Sequence, residues 1–131
     1  MAARLAIYDE STAGEKSVAL MLDVPTDRVT VKELIEMRIQ REVEKHNSNR
    51  QPIFNGLVQP TETEKELNGY RFKQLKRVDW QKQYDTAIEA FKANHIIVLI
   101  DERQVEDLDQ AFVIDHTTEV SFLKIVPLVG G

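Results

Sequence analysis

The sequence contains no cysteine. Disulfides, thiolate metal sites and cysteine nucleophiles are therefore excluded together. It also lacks a basic excess: 17 Lys and Arg face 22 Asp and Glu, a formal net charge of −5. A nucleic-acid footprint is ordinarily a strongly basic face, so no nucleic-acid partner is expected. No stretch approaches the ~20 apolar residues of a membrane span, and Met1-Ala2-Ala3-Arg4-Leu5 opens no apolar signal segment. The expectation is a cytoplasmic protein with no membrane partner. Internal repeats and phosphate-loop patterns are missing too; Asn55-Gly56 and Asn68-Gly69 read as turns.

What is present suits a folded domain. The 131 residues are 42% hydrophobic and 30% charged, enough for one domain, 1–131, to bury a core without metal or disulfide staples. Arg4 to Asp9 and Ser17 to Val24 are extended runs flanking the polar cluster Asp9-Glu10-Ser11-Thr12-Ala13-Gly14, which reads as a β-hairpin closed by Pro25. Thr30-Val31-Lys32-Glu33 has the capping-box pattern. Val31, Leu34, Ile35, Ile39 and Val43 then recur at helical spacing, predicting a helix to about His46.

Between Asn47 and Asp79 the pattern breaks at Pro52, Asn55-Gly56, Pro60 and Asn68-Gly69; Pro60-Thr61-Glu62-Thr63-Glu64 suggests one helical turn ending at Leu67. A second helix is expected from about Trp80 to Ala93, N-capped by Asp79, with Trp80, Tyr84, Ala87, Ile88 and Phe91 as its buried stripe. Ile96 to Ile100 is a continuous apolar strand of the kind covered on both faces. Asp101 to Gln104 turns the chain, Ala111 to Ile114 forms a short edge piece, and Glu119 to Val126 is a final strand.

That strand runs into Pro127-Leu128-Val129-Gly130-Gly131, where the sequence ends. With glycine at about 7% of average usage, a chance terminal pair is roughly a one-in-two-hundred event. Two glycines without side chains make a slender arm that presents its carboxylate to an activating enzyme; the alternative is a frayed terminus where small residues accumulate.

The element order, hairpin, helix, irregular segment with a helix, then three strands, points to an α+β fold with the first and last strands parallel at the centre. Glu119-Val120-Ser121-Phe122 followed by Pro127-Leu128-Val129-Gly130-Gly131 resembles the tail of the molybdopterin-synthase small subunit, whose pattern is Glu-Val-x-Phe and then Pro-x-x-Gly-Gly. Ile100-Asp101, Val105 and Leu108-Asp109 are similar to the strand-and-turn segment of the same carriers. The resemblance is to the ubiquitin-like β-grasp superfamily, in its prokaryotic modifier and sulfur-carrier form with a C-terminal Gly-Gly. It covers residues 1–45 loosely and 96–131 more closely, leaving an insertion at about 47–95; the spacer from Phe122 to the glycines is nearer to the longer arm of ubiquitin.

The resemblance implies a β-grasp (ubiquitin-like) mixed sheet packed on a helix, with a helix-containing insertion. It implies a substrate rather than an enzyme, whose Gly130-Gly131 carboxylate is adenylated by an E1-like enzyme supplying the ATP chemistry and the cysteine. The product is either an isopeptide to target lysines, by way of an E2-like enzyme, or a thiocarboxylate delivered to a sulfur-accepting enzyme. A non-conjugated β-grasp interaction module is the third reading. Partner-binding residues under it are Pro127, Leu128 and Val129 on the arm and Leu123 and Ile125 on the strand face opposite Val120, Phe122 and Val126. Alternatively the helix at 80–93 simply covers Leu123 and Ile125.

No cofactor or metal is expected. His46, His95 and His116 show no metal-ligand spacing and read as helix-end or strand-end residues. Asp101/Glu102 and Glu106/Asp107/Asp109 read as a solvated turn or as an acidic surface for the E1-like partner; Arg71, Lys73, Lys76 and Arg77 read as a solvated basic stretch or a contact for an acidic protein.

Overall fold

Alternating apolar and polar residues carry the chain out along β1 (Ala3–Glu10) and back along β2 (Lys16–Val24). Ser11 holds the turn between them: its hydroxyl accepts from the Ala13 and Glu15 amides at 3.2 Å each. In the computed structural model, residues 3–48, 52–66, 69–72 and 77–125 are described. A short strand, β3 (Arg28–Thr30), leads into α1 (Val31–Ser48). The capping box forms as expected. The Glu33 amide donates to the Thr30 hydroxyl at 3.1 Å, and the Thr30 amide donates to the Glu33 carboxylate at 2.9 Å. Such a cap contributes about 1 kcal/mol.

The segment after α1 holds β4 (Ile53–Phe54), β5 (Thr63–Glu66) and β6 (Gly69–Phe72), an antiparallel sheet in the order β4-β6-β5. The helical turn expected at residues 60–67 is thus corrected. Thr63 to Glu66 lie extended because they pair with Phe72 to Gly69, and that cross-strand pairing outweighs the weak local helical preference. Next comes α2 (Trp80–Lys92), N-capped by Asp79, whose carboxylate accepts from the Gln81 amide at 2.9 Å. Its buried face is Gln83, Ala87, Ala90 and Phe91; Trp80, Tyr84 and Ile88 are only half-buried at its flank. Ala87 and Phe91 of the expected stripe are thus buried, while Gln83 and Ala90 take the buried places expected of Trp80, Tyr84 and Ile88.

The remaining strands are β7 (Ile96–Ile100), β8 (Arg103–Val105), β9 (Ala111–Val113) and β10 (Val120–Lys124). Five strands form the main mixed sheet, in the order β2-β1-β10-β7-β8. β1 and β10 are parallel, with Ile7 opposite Val120 and Asp9 opposite Phe122; the other pairings are antiparallel. β9 pairs with β3 in a separate two-stranded ladder rather than at the main sheet's edge. The architecture is α+β.

One face of the main sheet, carrying Leu5, Ile7, Leu22, Val98, Val120 and Phe122, packs against the apolar stripe of α1 in a single core. Ile96 and Val98 are buried, whereas Ile97, Leu99 and Ile100 keep partial exposure, so β7 is covered fully on one face only.

Candidate functional site

The final strand sorts its side chains by parity. Val120 and Phe122 point into the core and are 0% exposed. Leu123 lies on the opposite face, next to Ile97 of β7 and Glu10 of β1. Ser121 and Tyr8 share that outer face, with Leu99 and Val18 beyond them.

α2 lies against α1 on the core side, so it is not what covers the outer face. Ile125 and Met21 are each 42% exposed and Val18 is 57% exposed, while Leu123 is half-buried. Lys16 borders the outer face: its ammonium bonds Glu119 at 3.0 Å and sits 4.6 Å from the Tyr8 ring centre, and the Glu119 bond raises its pKa.

Ile125 donates its amide to the His95 carbonyl at 2.8 Å, which fixes the point where the chain leaves the sheet. Val126, Pro127, Leu128, Val129, Gly130 and Gly131 lie outside the described residues, as do Lys73, Lys76, Leu67 and Asn68. Of the expected partner-binding residues, the described ones are therefore Leu123 and Ile125.

The core side of the same strands holds a polar cluster. Arg38 of α1 is 0% exposed, and its guanidinium clamps Asp9 of β1 through two bonds of 2.7 and 3.0 Å. It also donates twice to Glu42, one turn along α1, at 3.2 Å, and lies 4.6 Å from the Phe122 ring centre. The other Glu42 oxygen accepts from the Leu57 amide at 3.2 Å. One guanidinium therefore ties together β1, α1, β10 and, through Glu42, the segment after β4.

Burial works against the Arg38 charge, but Glu42 and Asp9 outweigh it and hold the guanidinium firmly protonated. Glu42 is pushed above the usual carboxylate range by burial, which exceeds the pull of Arg38. The two directions agree: Asp9 takes the short bidentate contact, and Glu42 the longer one in drier surroundings.

Sequence reasoning missed this cluster. The signal was a pair of charged residues, Arg38 and Glu42, spaced four apart on the apolar stripe between Ile35 and Val43.

A cleft of about 580 Å³ opens beside the cluster. The ends of β1, β2 and β10 form one wall, α1 the floor, and the β4-β6-β5 sheet the other wall. Lys45, Lys65 and Lys124 line it with Tyr70. Lys124 is half-buried and burial lowers its pKa; burial likewise raises that of Tyr70.

Several of the remaining singled-out positions have defined places in the fold. His46 lies in the last turn of α1 and is buried, stacked on Phe72 at 5.0 Å and edge-on to Phe54 at 5.3 Å, so it joins α1 to the small sheet. Asp101 and Glu102 take left-handed backbone (φ 49° and 69°) in the β7–β8 turn, and the Asp101 carboxylate accepts from the Glu119 amide at 2.9 Å. Asp107 caps the next turn by accepting from the Asp109 amide at 2.9 Å. Arg71 lies on β6 and Arg77 just before α2, both exposed.

Among the described residues, no group of three or more His, Cys, Asp or Glu side chains is placed to hold a metal ion, and no helix is long and apolar enough to cross a membrane. Comparison with known proteins returns no match: no family model fits the chain, and no curated protein or solved structure matches it.

Proposed function

We propose that this chain is a ubiquitin-like protein of the β-grasp class, and that it acts as a substrate: an E1-like enzyme adenylates the Gly131 carboxylate and passes it to lysines of target proteins. The observation that carries the reading is the parallel β1–β10 pair at the centre of a β2-β1-β10-β7-β8 sheet, with α1 packed across one face. A hairpin, a crossing helix and a last strand returning to the centre are what a β-grasp reading expects, and Pro127–Gly131 follow that strand in the sequence.

The outer face with Leu123 and Ile125 supports the same reading, since apolar side chains on the strand that precedes the arm in sequence give an activating enzyme a surface to grip. The chemistry requires a free α-carboxylate on Gly131, as the end of the working chain or after trimming. Mg-ATP and the thioester cysteine belong to the partner, and an E2-like enzyme completes the transfer. Such ATP-dependent chemistry fits a cytoplasmic protein.

Co-expression with a cognate E1-like enzyme, followed by peptide mass spectrometry, should reveal Gly-Gly remnants on target lysines. Adenylation with no conjugate on any protein overturns the modifier reading.

The Glu119-Val120-Ser121-Phe122 pattern favours a second reading, a sulfur carrier with a Gly131 thiocarboxylate. Intact mass from the native host would then show oxygen replaced by sulfur at the terminus, and conjugates without that exchange would exclude it.

A further inference from the structure

The cleft between α1, the strand ends of the main sheet and the small sheet is unusual for an acidic protein. Its charged lining consists of Arg38, Lys45, Lys65 and Lys124 against Asp9 and Glu42, a local excess of two positive charges on a chain whose net charge is −5. The two carboxylates are already committed to Arg38. The three lysines have no ion pair or side-chain hydrogen bond among the described residues, yet all face one opening.

They come from three separate elements: Lys45 from α1, Lys65 from β5 and Lys124 from the end of β10. Long ammonium chains that merely solvate a surface point away from one another; here three converge on one concavity. Lys124 is the most telling. It is half-buried without an ion pair among the described residues, and burial lowers its pKa despite the pull of Asp9 and Glu42. An anion in the cleft would offset that effect. Tyr70 and Asn55, residues that carry neutral donors, line the same space.

We propose that this cleft binds a small polyanion carrying two or more phosphate or carboxylate groups. Three unpaired ammoniums exceed what a monoanion neutralises, and about 580 Å³ accommodates a ligand larger than one oxyanion. Recognition is by charge-assisted hydrogen bonds from lysines, which bind oxyanions as point charges. The site lies on the α1 side of the sheet, opposite the outer face that carries Leu123.

The test uses the full chain titrated with pyrophosphate and, separately, with citrate, at ionic strength held constant with sodium chloride. Binding is read from the thermal midpoint and from amide chemical shifts of residues lining the cleft. Lys65→Gln and Lys45→Gln change exposed positions and leave the fold intact, so they keep the test decisive if Lys124→Gln proves unstable. Each should weaken binding about tenfold, the loss of one charge-assisted hydrogen bond. Lys82→Gln, exposed on α2 and remote from the cleft, should bind within about twofold of wild type. Binding of pyrophosphate alone identifies phosphate as the group read, and of citrate alone carboxylate. If neither anion acts beyond the chloride control, or if the cleft variants bind as wild type does, the proposal is overturned.

Discussion

Replacing Arg38 with methionine isolates what the buried guanidinium does. Methionine keeps apolar contact with Phe122 while removing every hydrogen bond to Asp9 and Glu42. The Asp9 side chain, 28% exposed, can recover water, but Glu42 is 7% exposed and retains only the Leu57 amide. Glu42 then ionises in a dry site or takes up a proton, and the second option caps the penalty. At pH 7, protonating a carboxylate whose ordinary pKa is about 4.3 costs about 3.7 kcal/mol; at pH 5 it costs about 1 kcal/mol. Arg38→Met should therefore lose about 3 kcal/mol at pH 7, within the range for breaking a buried pair. With a urea slope near 2 kcal/mol/M, the midpoint falls by about 1.5 M. At pH 5 the fall should shrink to under about half of that, since the cap is lower. Adding Glu42→Gln removes the stranded charge and should recover most of the pH 7 loss. If Arg38→Met costs the same at both pH values, or the second substitution recovers nothing, then the stranded Glu42 charge is not the cause and the reasoning fails.

Glu42→Gln alone gives the complementary test. The folded pKa is raised above the unfolded value, so the stability linked to Glu42 is complete below the ordinary carboxylate range and is lost as pH rises through the folded pKa. Urea midpoints of wild type should therefore decline relative to Glu42→Gln between pH 4.5 and 7, and a constant difference would contradict the raised pKa. At Gly69, φ is +146° and an added Cβ would stand 2.6 Å from Ile53 Cγ2 and 2.7 Å from the Phe54 carbonyl oxygen. Gly69→Ala should cost about 2–4 kcal/mol in thermal or urea unfolding, and a change under about 0.5 kcal/mol would refute the close approach. Ile125→Glu alters an exposed position, so stability should move by less than about 0.5 kcal/mol. Under the proposed function the same change lowers the rate of E1-dependent adenylation at least tenfold, and an unaltered pyrophosphate-exchange rate would remove Ile125 from the recognition face.

Much of the main sheet and both helices were readable because their signals are local. Thr30 and Glu33 announce a helix start through two hydrogen bonds that four consecutive residues make among themselves. Asp79 does the same for α2, and the alternation in Ser17–Val24 is a property of one strand. What was hidden depends on distant partners. Thr63 to Glu66 become a strand only because Gly69 to Phe72 lie beside them. The buried face of α2 is set by the space against α1, which favours Ala87 and Ala90 over the larger Trp80 and Tyr84. The three lysines of the cleft are 20 and 59 residues apart along the chain, so no window of sequence joins Lys45, Lys65 and Lys124.

The central place of β10 also governs how the molecule comes into being. Ile7 cannot meet Val120 until more than a hundred further residues have been synthesised. Pairings of such long range raise the contact order and slow folding. At about 5–20 residues per second, translation leaves β1 without this neighbour for several seconds. A polypeptide broken between β9 and Val120 has the hairpin and both helices but no middle to its sheet. The docking of β10 is thus the step that joins the amino-terminal hairpin to β7 and β8 in one continuous sheet.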